Sequence, residues 1–203
     1  MKIICVGRNY VEHAKELNNE VPLEPVLFLK PDTALIQKDK IFYIPDFSTQ
    51  IHHEVELVVR IEKVGKNIAP KFAHKYYSQI GLGVDFTARD LQQELKEKGL
   101  PWEKSKAFDG SAVLGSLIDK QHFKDVQNIN FSLKKNNILV QEGNTSQMLF
   151  SIDQLISNIS KYFTLKVGDL IYTGTPKGVN TVKAGDVLEG FIEGDKFFKI
   201  AIG

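Results

Sequence analysis

The stretch Glu54-Val-Glu-Leu-Val-Val-Arg-Ile-Glu62 decides how the chain is read. Val55, Leu57, Val59 and Ile61 alternate with Glu54, Glu56, Arg60 and Glu62, the period of two of a β-strand with one apolar and one mostly polar face. Downstream, Ile80-Gly-Leu-Gly-Val84 reads as a second strand, with glycines at which another backbone can approach closely. Upstream, a helix is expected over 10–18, then a breaking segment with Pro22 and Pro25, then a short strand Val26–Lys30 that Pro31 stops. Toward the C-terminus, the capping-box spacing of Thr87 and Asp90 predicts a helix that Gly99 ends. Asn136–Asn137 between two apolar runs predicts a hairpin, and Ser151 and Gln154 open an amphipathic helix over 152–163. The last 35 residues return to strands, with a hairpin expected across Gly194–Asp195.

Many short strands, three or four helices and no βαβ rhythm indicate a β-rich α+β fold, not a doubly wound sheet. With no repeat, low-complexity tract or linker, the 203 residues are expected to form a single domain, 1–203. Lys plus Arg number 26 and Asp plus Glu 25, so nothing in the charge balance favours a nucleic-acid or anionic-membrane partner. The one cysteine, Cys5, lies in the apolar run Ile3-Ile-Cys-Val6, which excludes an intramolecular disulfide and a cysteine zinc cage and suits a buried thiol. There is no apolar run long enough for a membrane helix and no signal-peptide pattern, so the cytoplasm is expected.

On one strand face the carboxylates of Glu54 and Glu56 start about 6–7 Å apart. Asp85, just past the second strand, can swing into the same place. Three converging carboxylates without a thiol suit a hard cation, Mg²⁺ or Mn²⁺. The same pattern also describes a solvated strand face, and His52 and His53 at its entrance are expected on the surface. His13 and Glu16, three apart on a helix, are spaced for a hydrogen bond that would orient an imidazole as a general base. Arg89 and Gln92 repeat that spacing, and an Arg fork suits a carboxylate. Both pairs also fit solvated helix faces. Thr173-Gly-Thr-Pro-Lys-Gly178 ends an apolar strand and could offer donors to an anion, or be an ordinary turn. Lys106 has nothing local to distinguish it. Without a Gly-x-Ser-x-Gly elbow or an activating context for Cys5, covalent serine or cysteine hydrolysis is disfavoured.

The order of these segments carries more than each alone. Cys5-Val-Gly-Arg-Asn-Tyr-Val-Glu-His-Ala-Lys-Glu16, Pro25-Val-Leu-Phe-Leu-Lys-Pro31, His53-Glu-Val-Glu-Leu57, Asp85-Phe-Thr-Ala-Arg-Asp-Leu-Gln92, Lys106-Ala-Phe-Asp109 and Gly168-Asp-Leu-Ile-Tyr-Thr-Gly-Thr-Pro-Lys-Gly-Val179 resemble the fumarylacetoacetate hydrolase family over nearly the whole chain. Gly99-Leu-Pro-Trp102 and Gln141-Glu-Gly-Asn-Thr-Ser146 are similar to its short acylpyruvase and oxaloacetate decarboxylase branch.

The resemblance implies a mixed β-roll with flanking helices, commonly a homodimer. It implies metal ligands at Glu54, Glu56 and Asp85 for Mg²⁺ or Mn²⁺, and a lid dyad at His13 and Glu16 on a segment of about residues 8–25. It further implies a catalytic lysine at Lys106 and substrate anchors at Arg89, Gln92 and Thr175. The implied substrate is a small 2-oxo acid: an acylpyruvate cleaved to pyruvate and an acid, or oxaloacetate decarboxylated, through a stabilised pyruvate enolate. Keto–enol tautomerisation of oxaloacetate, isomerisation or hydration of unsaturated dicarboxylates, and non-catalytic metabolite binding are the alternatives.

Overall fold

The computed structural model describes residues 1–17, 19–36 and 41–203. In chain order the elements begin β1 Ile3–Gly7, α1 Val11–Glu16, β2 Val26–Lys30, β3 Ile51–His53, β4 Val55–Ile61 and α2 Pro70–Ala73. They continue β5 Tyr77–Asp85, β6 Thr87–Ala88, α3 Arg89–Glu97, α4 Glu103–Lys106, β7 Ala112–Asp119, β8 Asn130–Lys135 and β9 Ile138–Asn144. The last are α5 Ile152–Tyr162, β10 Leu170–Tyr172, β11 Asn180–Thr181, β12 Val187–Ile192 and β13 Asp195–Ala201.

The strands form a six-stranded sheet in the order β2-β1-β10-β4-β5-β7, a four-stranded sheet β13-β12-β8-β9 and a three-stranded one β11-β3-β6. In the large sheet β1 and β10 run parallel and every other neighbouring pair is antiparallel. The fold is α+β and strand-rich, as the absence of a βαβ rhythm predicts. Among the described residues no helix is long and apolar enough to cross a membrane.

Several local signals act as written. Asn136 and Asn137 take φ of 52° and 65°, the left-handed pair that matches the twist of the β8–β9 hairpin. Ser151 Oγ accepts from the Gln154 N–H while Gln154 Oε1 accepts from the Ser151 N–H at 2.8 Å, so α5 starts at a complete capping box. Its Ile152, Leu155, Ile156 and Ile159 are all buried in the main core.

Others shift. The helix expected over 10–18 is formed as Val11–Glu16, and Asn18 lies outside the described residues. The last hairpin turns at Glu193–Gly194, one residue early, because Asp195 already pairs with Ile192. No capping box forms at Thr87. That residue is held in β6 opposite His52, and the Asp90 carboxylate instead accepts from Ser48 Oγ at 2.6 Å and the Thr49 N–H at 2.8 Å.

The largest correction concerns β4. Its polar face is not solvated, since Glu54 and Glu56 are buried and only Arg60 of β4 is exposed. Its two edges pair with β10 and β5, and every residue of the strand except Arg60 is buried. Leu57, Val59 and Ile61 enter the main core, while Val58 packs with Ile3, Cys5, Leu170 and Tyr172 in a second cluster. Cys5 is a buried free thiol, as expected, and burial pushes its pKa up, with Asp85 adding to the effect.

Gly83 of β5 allows the close approach that its strand needs. A Cβ there would lie 2.3 Å from the Val113 carbonyl and 2.8 Å from the Tyr172 ring. Gly83→Ala should therefore destabilise the protein by about 1–3 kcal/mol, read as a lower thermal midpoint. An unchanged midpoint would contradict this packing.

Candidate active site

Register builds the site. Val55 pairs with Val84 and Glu56 with Gly83, and the Asp85 N–H donates to the Glu54 carbonyl at 2.9 Å. This places Glu54, Glu56 and Asp85 together at the start of β4 and the end of β5. One carboxylate oxygen from each lies within 4.8 Å of the others, and all three residues are buried.

Cations surround two of the three. Lys106, at the end of α4, places Nζ 2.7 Å from Glu54 Oε2, 2.8 Å from Asp85 Oδ2 and 2.6 Å from Thr87 Oγ1. Arg89 opens α3, pairs with Glu54 Oε1 and donates to Gln92 Oε1 at 2.5 Å. Lys30, fully buried at the end of β2, lies 2.8 Å from Asp85 Oδ1, an ion pair without hydrogen-bond alignment. It donates instead to the Ser111 hydroxyl at 2.9 Å and to the Lys106 carbonyl.

Glu56 differs. Its Oε2 accepts the Gly174 N–H at 2.7 Å, and among the described residues it has no cationic partner. The electrostatics follow. Burial, then the neighbouring Asp85 and Glu54 charges, push the Glu56 carboxyl well above the usual carboxylate range. Burial also opposes the Glu54 charge, but Lys106 and Arg89 more than offset it and hold that carboxyl well below. Burial opposes the Lys106 charge too, and Asp85 and Glu54 outweigh it, so its ammonium is retained. Three convergent oxygen donors, one with an uncompensated charge, fit a hard divalent cation.

The His13–Glu16 pair forms over the predicted spacing, with Nδ1 3.1 Å from Glu16 Oε2. Glu16 Oε1 accepts the Gly178 N–H at 2.9 Å, which ties α1 to the turn after β10. These two hydrogen bonds outweigh burial and lower the Glu16 pKa. In that turn Thr175 is buried and accepts from Gln141 Nε2 at 2.9 Å, leaving its own O–H to donate. Gln141 also accepts the Val55 N–H at 3.0 Å, so it joins the turn to the head of β4. Sequence reasoning assigned no role to Gln141 or to Lys30; a single lysine closing an apolar strand reads as a solvated end.

His52 and His53 depart from expectation. His53 is fully buried with Nδ1 2.9 Å from Gln141 Oε1, and burial lowers its pKa. His52 is half-buried and accepts from Arg89 Nε at 3.4 Å; burial and that guanidinium depress its pKa to about 4. Neither joins the carboxylate group. The structure does bring His13, Glu54, Glu56, Asp85, Arg89, Gln92, Lys106 and Thr175 around one cavity.

So many ionised groups confined beside an oriented imidazole belong to an enzyme, since a structural ion-pair network has no need of the uncompensated Glu56. The profile of the family described as fumarylacetoacetate (FAA) hydrolase C-terminal matches residues 2–199, and the chain belongs to this family. It is 46% identical over 192 residues to oxaloacetate tautomerase FAHD1, mitochondrial, of Mus musculus, covering 95% of this chain and 87% of that one. It is also 46% identical over 194 residues to the mitochondrial oxaloacetate decarboxylase of Dictyostelium discoideum, covering 95% and 89%. The crystal structure of fumarylpyruvate hydrolase from Pseudomonas aeruginosa in complex with Mn²⁺ and pyruvate matches with a TM-score of 0.93 and 33% identity, covering 100% of this chain and 89% of that one.

Proposed function

We propose that the chain acts on small 2-oxo acids through a pyruvate-type enolate, with Glu54, Glu56 and Asp85 holding Mg²⁺ or Mn²⁺. The observation that carries this reading is the charge of the buried cluster. Glu54, Glu56 and Asp85 face Lys30, Lys106 and Arg89, which leaves it formally neutral. A divalent cation makes it doubly positive. Enolate formation puts negative charge on the 2-oxo oxygen, which is uncharged in the keto acid, so such a site favours the enolate over the acid from which it forms, the differential binding that lowers a barrier. The bound cation would supply Lewis acidity to the carboxylate and 2-oxo oxygens.

The chain's own groups do the rest. The Lys106 ammonium faces the developing enolate charge, while Arg89, Gln92 and the Thr175 hydroxyl orient the acid. His13 Nδ1 is engaged with Glu16, which leaves Nε2 to take a proton. With an acylpyruvate that proton comes from water, whose oxygen attacks the distal carbonyl; the C–C bond breaks toward pyruvate enolate, and an acid leaves. With oxaloacetate, loss of CO₂ gives the same enolate without water. Moving a proton from C3 to the 2-oxo oxygen, by way of the enolate, interconverts its keto and enol forms. The names of the mouse and Dictyostelium relatives favour oxaloacetate as a substrate of this chain.

Residues 1–203 would act as one catalytic unit, with residues 8–25 as a lid. The cavity beside the carboxylates, about 40 Å³, is lined on the α1 side by His13 and Leu17. His13 of α1 faces this cavity and Glu16 ties α1 to the turn after β10, so α1 is placed to close over a bound acid. Amide hydrogen exchange over residues 8–25 should slow on adding Mg²⁺ with oxalate; unchanged rates would reject the lid.

Ile41 and Tyr43, neighbours beside Gly203, expose 45% and 71% of their surface, an apolar area that a second copy would cover in the homodimer we infer. The lone buried thiol fits a reducing compartment such as the cytoplasm.

The test is pyruvate release, coupled to NADH oxidation by lactate dehydrogenase, from acetylpyruvate and oxaloacetate with Mg²⁺ or EDTA, alongside decay of enol-oxaloacetate absorbance. Metal-dependent turnover above the spontaneous rate is expected for at least one reaction. None in any of the three would reject the enolate reading.

A further inference from the structure

Two cations at this cavity take no part in the cluster. Arg8 directly follows β1 and lines the cavity, as does Lys96 near the end of α3. Among the described residues neither forms an ion pair. Arg89, Gln92 and Lys96 recur at spacings of three and four, so one face of α3 runs along the cavity wall. Lys96 sits two turns, about 10 Å, from Arg89, toward the end of α3 away from Glu54, which Arg89 contacts. Its Nζ donates to Asn19 Oδ1 at 2.8 Å, its one hydrogen-bond partner among the described residues. Arg8 holds a φ of 60°, which a non-glycine residue rarely adopts, so its side chain is directed by a constrained backbone.

We propose that Arg8 and Lys96 form a subsite for the second carboxylate of a dicarboxylic 2-oxo acid. This rests on the enolate reading above and names the substrate class within it. Two cations with no anion between them repel, and a carboxylate bound there relieves that repulsion while accepting charge-assisted hydrogen bonds. Burial and the nearby Arg8 and Arg89 charges already lower the Lys96 pKa, as that repulsion requires. A monocarboxylic acylpyruvate would place an uncharged acyl group against the same pair and gain nothing from it.

Malate and lactate share a 2-hydroxy acid head and differ at the other end, where malate alone carries a carboxylate; neither can form the enolate. Calorimetric titration of the Mn²⁺-loaded protein should show malate binding roughly ten- to a hundredfold tighter than lactate. In Lys96→Gln and in Arg8→Asn, where asparagine tolerates the left-handed backbone, the malate-to-lactate ratio should fall at least about fivefold, and Lys96→Arg should restore it. Oxalate, which mimics the head alone, reports on the metal site in every variant. A wild-type protein that binds oxalate but does not prefer malate overturns the subsite, as do variants that keep the wild-type ratio. Failure of the wild-type protein to bind oxalate with Mn²⁺ overturns the enolate reading, and the subsite with it.

Discussion

Glu56→Gln is expected to abolish metal-dependent turnover and at the same time raise the thermal midpoint of the metal-free protein. Glutamine has the shape of the protonated carboxyl and keeps an oxygen for the Gly174 N–H. Burial and the neighbouring Asp85 and Glu54 charges hold a proton on the Glu56 carboxyl of the folded metal-free chain, at a free-energy cost that a permanently neutral amide does not carry. Removing that cost should stabilise the metal-free fold by about 1–2 kcal/mol, roughly 2–8 °C for a chain of this size. Losing one of three carboxylates should weaken divalent-cation binding at least about a hundredfold.

The pH dependence has a definite sign. The folded-state pKa of Glu56 is raised, so the folded metal-free chain retains a proton that the unfolded chain releases. Its stability therefore falls as pH climbs from the ordinary carboxyl value through the raised one, and the advantage of the variant widens with pH. Thermal unfolding in EDTA at pH 6 and pH 8, then with added Mn²⁺, reads all three effects. A variant less stable than wild type in EDTA that still gains stability from Mn²⁺ would show that Glu56 is not a metal ligand.

The same residue shows what sequence pattern can and cannot convey. Alternation assigns Glu54 and Glu56 to one strand face, because the period of a strand is local. It does not say whether that face meets water, since that depends on Lys30, Lys106 and Arg89 arriving over it from β2, α4 and α3. Buried charges come into balance only in three dimensions, which is why nothing local distinguishes Lys106, why Lys30 is given no role and why His53 reads as a surface residue. Capping signals divide in the same way. Ser151 and Gln154 form their box because nothing else competes for them, whereas Thr87 is taken into a strand pairing and Asp90 into the Ser48–Thr49 turn. The motif order could gather the site residues because it carries the outcome of folding without its geometry; it assigns no role to Arg8 and Lys96, whose proposed one comes from the ion pairs that they lack among the described residues.

His13→Ala should separate two reactions that share one enolate. Hydrolysis of acetylpyruvate needs a proton taken from water as its oxygen attacks, and losing the base should slow that step by about a hundred- to ten-thousandfold. Decarboxylation of oxaloacetate needs no water attack, so its rate should fall less than about tenfold, and Mn²⁺ binding should persist because Glu54, Glu56 and Asp85 keep their register. Keto–enol exchange, which moves a proton at C3, should fall with hydrolysis if His13 is the base for both. Glu16→Gln should lie between wild type and His13→Ala: it keeps the contact with the Gly178 N–H but removes the anion that supports a protonated imidazole. Steady-state rates for the three reactions in the two variants, with Mn²⁺ affinity as the control, test this ordering. Equal losses of hydrolysis and decarboxylation, with Mn²⁺ affinity unchanged, would show that His13 serves to close the cavity and not to move a proton.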